Sequence, residues 1–200
     1  MKRMKEKRES QRIVFRMGKR VYLRPILKED VPLLTIWIND PEVHQFLKVN
    51  APMSPEDELR WVESHSERKS TDISFGIVLV DTNELIGVMS LHKINHQHGT
   101  ATTGSFIGRK DLWSKGYGTE AKMLVLEFAF NTLNLRKISS IVYDFNGRSK
   151  RCLEKCGYIV EGRRKEQQFR NGRYCDEFIL AVFRDKFLPL WEKYKKKFLA

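Results

Sequence analysis

Trp113-Ser114-Lys115-Gly116-Tyr117-Gly118-Thr119-Glu120-Ala121 decides the fold of this chain through what stands on either side of it. An extended apolar segment, Ser105-Phe106-Ile107-Gly108, precedes it, and a strongly helical one from about Thr119 to Leu133 follows. A strand that feeds a short glycine turn and then a helix presents backbone N–H groups that have no partner inside the helix, which suits an anion. Gly116 and Gly118 allow open φ values and the close approach of a pyrophosphate, and Lys115 adds a point charge. The spacing is not Gly-x-x-x-x-Gly-Lys-Ser/Thr, which argues against a nucleotide-triphosphate loop, and the upstream glycines of a dinucleotide fingerprint are missing. Taken alone, a Gly-x-Gly before a helix is equally well a plain tight turn.

Working outward, the period of the apolar residues changes several times. Val21 to Ile26 reads as a first strand. Lys28-Glu29-Asp30 followed by Val31, Leu33, Leu34, Trp37 and Ile38 reads as a helix with acids in its first turn, stopped by Pro41. Ser54-Pro55-Glu56-Asp57 opens a second helix running to about Arg68. Ile73–Val80 and Leu85–Lys93 flank Asp81-Thr82-Asn83-Glu84 as a hairpin, and a strand from about Ala101 to Arg109 enters the glycine turn. Lys137–Tyr143 reads as a fully buried strand, and Ser149–Lys155 as a short helix closed by Gly157. Tyr158–Arg170 and Tyr174–Arg184 pair around Asn171-Gly172. The sum is a single α+β domain with a mixed, largely antiparallel sheet flanked by helices.

The 200 residues suffice for one domain with a sizeable core. No apolar run approaches the length of a membrane helix and no signal-peptide core stands at the N-terminus, so the expected location is cytoplasmic. Cys152, Cys156 and Cys175 are an odd number without metal-ligand spacing, and they read as small buried apolar residues. The net charge of +12 favours anionic partners. Much of it is terminal: residues 1–15 read as a basic, flexible arm, either merely solvated or touching RNA or ribosomes through counterion release, and residues 188–200 read as a basic C-terminal helix.

Taken in order, Lys115-Gly116-Tyr117-Gly118-Thr119-Glu120-Ala121, Asn146-x-x-Ser149, Glu154-Lys155-Cys156-Gly157-Tyr158, Glu161-Gly162-Arg163 and Gly172-Arg173-Tyr174-Cys175-Asp176 resemble the GNAT superfamily of acetyl-CoA-dependent N-acetyltransferases, in particular its RimJ/RimL-like branch. The resemblance begins at Val21-Tyr22-Leu23-Arg24-Pro25 and ends near Phe187, so the acetyltransferase domain is expected over residues 16–187. It implies two central strands that splay apart around the acyl-pantetheine, an enzyme that is a monomer or a homodimer, and no metal. It implies that the amides from Lys115 to Thr119, with Trp113 packed beneath or beside them, hold the pyrophosphate of acetyl-CoA. Phe106, Ile107 and Gly108 would pair with the pantetheine as an added strand does. Asn146 either contacts the cofactor arm or caps the following helix, and Ser149 either donates a proton to the departing sulfur or makes local hydrogen bonds. Trp37, Asn39 and Tyr174 are expected to rim the acceptor cleft.

Two departures from the family stand out. Leu153 occupies the position where many relatives carry the tyrosine that protonates the leaving thiolate, and the stretch Ala101-Thr102-Thr103-Gly104 lacks the glutamate that relatives often place there as base. Asp176 is then the expected base or amine anchor, with Glu161, His92, His96 and His98 as alternatives. Neutralising a lysine-like ammonium at pH 7.5 costs about 4 kcal/mol, against well under ~1 for an α-amine. That difference favours a protein N-terminal amine as acceptor, with polyamines and amino sugars next. A weakly catalytic CoA-binding or ribosome-associated module is the reading from another class.

Overall fold

The computed structural model describes residues 12–66 and 71–198, so residues 1–11, which hold most of the expected basic arm, lie outside it. The strands are β1 (Arg16–Met17), β2 (Val21–Pro25), β3 (Ile73–Leu79), β4 (Leu85–Asn95), β5 (Thr100–Ile107), β6 (Lys137–Tyr143), β7 (Ile159–Arg170) and β8 (Arg173–Phe183). The α-helices are α1 (Val31–Asn39), α2 (Pro41–His44), α3 (Pro55–Ser66), α4 (Tyr117–Glu127), α5 (Gly147–Lys155) and α6 (Arg184–Phe198). All eight strands form one sheet in the order β1-β2-β3-β4-β5-β6-β8-β7. Every pairing is antiparallel except β5 with β6.

The two faces of the sheet bury separate apolar clusters. On one, α4 lays Ala121, Leu124 and Val125 against Leu23, Ile77, Met89 and Ile138, and α6 adds Phe187 and Trp191. On the other, α1 and α3 set Leu34, Trp37 and Val62 against Tyr22, Val78 and Val88. Burial at roughly 25 cal/mol per Å² of apolar surface makes these two layers the main source of cohesion.

Several boundaries differ from the sequence reading for local reasons. The chain is already part of the fold at Arg12, whose guanidinium donates to Val80 O at 2.9 Å. Phe15 stacks on Phe75 with ring centroids 5.0 Å apart, so the segment expected to be an arm up to residue 15 ends in the core. Pro41 stops α1 but also starts α2, since proline tolerates a first helical position and Asp40 caps it by accepting from Glu42 N. The helix expected to run to Leu133 changes at Phe128 to a π turn, Phe128–Thr132. The C-terminal helix begins at Arg184 rather than 188. β6 is not buried throughout: Lys137, Ser139 and Ile141 are half-buried, and Ser140 to Tyr143 line a cleft.

Candidate active site

The cleft follows from the one parallel pairing. β5 and β6 are in register only over Thr100–Thr102 and Lys137–Ser139. Ser140 Oγ donates to Thr103 O at 3.1 Å as a last link. Beyond it the two strands part, β6 stays bonded to β8 as far as Tyr143, and β5 continues with β4 as far as Ile107. The V-shaped opening is a cleft of ≈ 730 Å³ that passes between the α1–α3 face and the α4–α5 face.

The glycine turn sits at the mouth of the V. Ser114 (φ 61) and Gly116 (φ 89) are both left-handed, a double reversal that leads directly into the first turn of α4. Trp113 Nε1 donates to Ile107 O at 2.6 Å and pins the turn to the end of β5. From the other side Arg20 donates through Nη1 to Lys115 O at 2.9 Å and lies over the Tyr117 ring. Glu120, buried in the first turn of α4, accepts from Arg20 N at 2.7 Å, Arg20 Nε at 3.0 Å and Val21 N at 3.3 Å. Its negative charge is therefore spent on the β1–β2 turn and does not oppose an anion at the helix start. The cleft lining carries Lys48, Lys93, Lys122, Arg148, Arg151 and Lys155 and, among the described residues, no Asp or Glu. A polyanionic nucleotide thioester suits such a wall.

Of the residues expected to hold the cofactor, Phe106, Ile107, Trp113, Gly116, Tyr117, Gly118, Thr119, Asn146 and Ser149 line this cleft, whereas Gly108 and Lys115 do not. Gly108 lies under Trp37: a Cβ there would sit 1.9 Å from the Trp37 ring, so this glycine serves packing. Lys115 contributes its carbonyl to Arg20. Asn146 Oδ1 accepts from Ser149 N at 3.1 Å and so caps α5, which leaves its Nδ2 without a protein partner among the described residues. Capping and cofactor contact therefore do not compete, because they use different atoms.

The expected acceptor and acid–base residues fare differently. Trp37 is a core residue edge-on to Phe106. Asn39 clips the loop before α3 by donating to Met53 O and accepting from Met53 N. Tyr174 is 65% exposed at the β7–β8 tip against Phe169. None of the three lines the cleft, and Phe46, Leu47, Lys48 and Val49 stand there instead, with Arg170 holding Leu47 O at 2.9 Å and Val49 O at 3.2 Å. Asp176 is likewise outside the lining, bonded to Glu166 N at 2.7 Å and to the Arg163 guanidinium. Those bonds, the Glu166 amide foremost, hold its carboxyl below the usual range, the wrong direction for a base. Glu161 is paired with Lys137 at 2.8 Å. Leu153 is buried in the core, as its missing hydroxyl allows.

The structure singles out His92 from the histidines. Its Nδ1 lies 2.8 Å from Asp72 Oδ2, and its ring reaches the cleft beside Gly104, where a Cβ would come within 3.2 Å of Nε2. Asp72 is held in turn by Lys93 N at 2.9 Å, and although burial pushes its carboxyl up, this amide and His92 keep it net below its ordinary value. Asp72 stands just before β3 and His92 lies on β4, 20 residues apart, so only the pairing of β3 with β4 brings them together. Arg148 is a further lining residue, its guanidinium 3.7 Å from the Trp113 ring centroid and 5.2 Å from that of Phe46.

Comparison with known proteins supports the same architecture. Residues 20–159 match the family model described as an acetyltransferase (GNAT) domain. The chain is 30% identical over 172 residues to the probable N-acetyltransferase YjcK of Bacillus subtilis, covering 82% of this chain and 94% of that one. It is 28% identical over 173 residues to the spermidine N(1)-acetyltransferase of Escherichia coli, covering 84% and 88%. The crystal structure of spermidine N-acetyltransferase from Vibrio cholerae in complex with CoA and spermine superposes with a TM-score of 0.78 at 24% identity, over 84% of this chain and 98% of that one. A sheet splayed at its single parallel pairing, a glycine turn opening a helix at the mouth of the splay, and a family match across most of its length place this chain in the GNAT acetyltransferase family, as an N-acetyltransferase that uses acetyl-CoA.

Proposed function

We propose that the protein transfers the acetyl group of acetyl-CoA, held in the cleft between β5 and β6, directly to the primary amine of a small aliphatic polyamine. The observation that carries the acceptor class is the likeness to the spermidine acetyltransferases over 84% of the chain. It shifts the weight from a protein N-terminus, the acceptor that the missing glutamate favoured, and from the RimJ/RimL-like branch whose motifs the chain resembles. The amides of Gly116 to Thr119 receive the pyrophosphate, and Arg148, Arg151 and Lys155 meet the remaining phosphate charge. Phe106 and Ile107 offer the free edge of β5 to the pantetheine, and Asn146 Nδ2 adds a donor.

A polyamine demands a base more than an α-amine does, because its ammonium costs about 4 kcal/mol to neutralise at pH 7.5. His92 meets this need. With Nδ1 directed at the Asp72 carboxylate, Nε2 accepts the amine proton, and Asp72 stabilises the imidazolium that results. Ser149 is the hydroxyl from which the departing thiolate takes a proton, and the rest of the acceleration comes from holding thioester and amine together in the V.

One observation favours a second acceptor class. Among the described residues the lining offers no carboxylate to a polycation, and Lys48 and Lys93 would attract an acceptor that carries an anion near its amine, such as an amino acid or an amino-sugar phosphate. The test is release of CoA thiol with spermidine, spermine, amino acids, amino-sugar phosphates and peptides of varied N-terminus. Turnover highest with spermidine or spermine supports the polyamine reading. Highest turnover with an anionic amine establishes the second, and highest turnover with peptides restores the protein N-terminus.

The cofactor assignment has its own check. In Gly116→Ala the new Cβ forces a left-handed residue to carry a side chain 3.1 Å from Arg20 Nη2. The turn reopens at a cost of roughly 1–2 kcal/mol, and KM for acetyl-CoA rises about tenfold with kcat changed by less than about twofold. Steady-state kinetics against acetyl-CoA read both values.

A further inference from the structure

Cys152 and Lys122 form a group that acetyl transfer does not use. Cys152 leaves the α4-facing side of α5, and both residues line the cleft, together with Thr119. Thr119 Oγ1 donates to Cys152 Sγ at 3.5 Å, and the Cys156 thiol, one helical turn on, donates to Thr119 O at 3.7 Å. Lys122 is 2% exposed and, among the described residues, has neither a hydrogen-bond nor an ion-pair partner. An unpaired buried ammonium is costly unless an anion stands nearby. The groups around it are sulfurs rather than carboxylates, and the two thiols respond in opposite senses. The adjacent Cys156 thiol, the Lys122 charge and the Thr119 hydroxyl together pull Cys152 below its ordinary value against its burial, while its neighbour Cys152 and burial push Cys156 up. Burial in turn lowers Lys122.

We propose that Cys152 is a thiolation site: its sulfur, set in the wall of the cleft beside Thr119, Cys156 and the unpaired Lys122, exchanges with low-molecular-weight disulfides and thereby closes the cleft to acetyl-CoA. The Cys152 thiolate attacks one sulfur of R–S–S–R, a protein–S–S–R bond forms, the S–S bond of the reagent breaks, and RS⁻ departs with the electron pair. The protein sulfur is oxidised, the leaving sulfur is reduced, and an added thiol reverses the step. Closure of the cleft rests on the reading of this cleft as the acetyl-CoA site; the exchange itself does not.

The protein is incubated with the disulfide of CoA or, in a separate arm, with oxidised glutathione, then digested and mapped by mass spectrometry. The expected adduct in both arms is on Cys152, ahead of Cys156 and Cys175. Between pH 6 and 8 the rate rises by less than about tenfold, against roughly seventyfold for an ordinary thiol with a pKa near 8.5. Lys122→Met makes the profile steeper than in the unaltered protein, and because the mapping is done on the unaltered protein its result stands whether or not that variant folds. A first adduct on Cys175, no adduct on Cys152, or a steep profile in the unaltered protein overturns the proposal. Acetyl-CoA is expected to slow the exchange; if Cys152 reacts with the flat profile but acetyl-CoA gives no protection, the thiolation site stands and the placement of the cofactor fails.

Discussion

His92→Ala lowers kcat/KM for the amine about 10²–10³-fold, with the affinity for acetyl-CoA unchanged, as measured by thiol release and by calorimetric titration of CoA. The size follows from what the imidazole does. An alkylammonium must lose a proton before it can attack, and without Nε2 only water or the free-amine fraction remains. Asp72→Asn has a smaller effect, about tenfold, because the amide still bonds Nδ1 but no longer stabilises the imidazolium. The loss should shrink for acceptors of lower pKa, since an amine that is already neutral has less need of a base. An unchanged kcat/KM in His92→Ala would remove the dyad from the mechanism and leave proton acceptance to solvent.

Glu120→Ala destabilises the fold by about 3 kcal/mol, which for a chain of this length lowers Tm by roughly 6–12 °C. The carboxylate accepts from Arg20 Nε and from the backbone of Arg20 and Val21, and its loss orphans these donors. The value stays at the low end of the range for breaking a buried pair because the Arg20 side chain is 44% exposed and can turn to water. Glu120→Gln keeps one acceptor and should cost about half as much. Since Arg20 also holds Lys115 O, the alanine variant should weaken acetyl-CoA binding beyond what unfolding accounts for, which titration well below its Tm would show. Equal losses in both variants would mean that the charge, rather than the set of accepted bonds, stabilises this corner.

Both predictions concern contacts that span the chain. Glu120 lies 100 residues from Arg20, and the motif around it marks a turn without naming the acid's partner. His92 stands among alternating polar residues, with His96 and His98 close by, and nothing local distinguishes it until β3 and β4 pair and place Asp72 beside it. Asp176 erred in the other direction: a carboxylate beside a family motif looked free in sequence, but the β7–β8 ladder gives it to Arg163 and the Glu166 amide. Trp37, Asn39 and Tyr174, expected on an acceptor rim, do not line the cleft, because each side chain's direction is set by packing. α1 turns Trp37 inward under Gly108 and leaves Phe46 to Val49 to face the opening.

By itself the sequence determined the order and type of the main elements, the glycine turn with its helix and the α+β class, and it offered the cap as one of two readings of Asn146. All of these rest on interactions between residues a few positions apart: helical or alternating apolar period, a cap, a left-handed glycine. The tertiary structure decided where β5 and β6 part, that Asp72 stands beside His92, and that Lys122 lies buried in the cleft wall that also holds Cys152. Such contacts depend on strand register and on removal from water, and neither is encoded in a neighbourhood of a few residues.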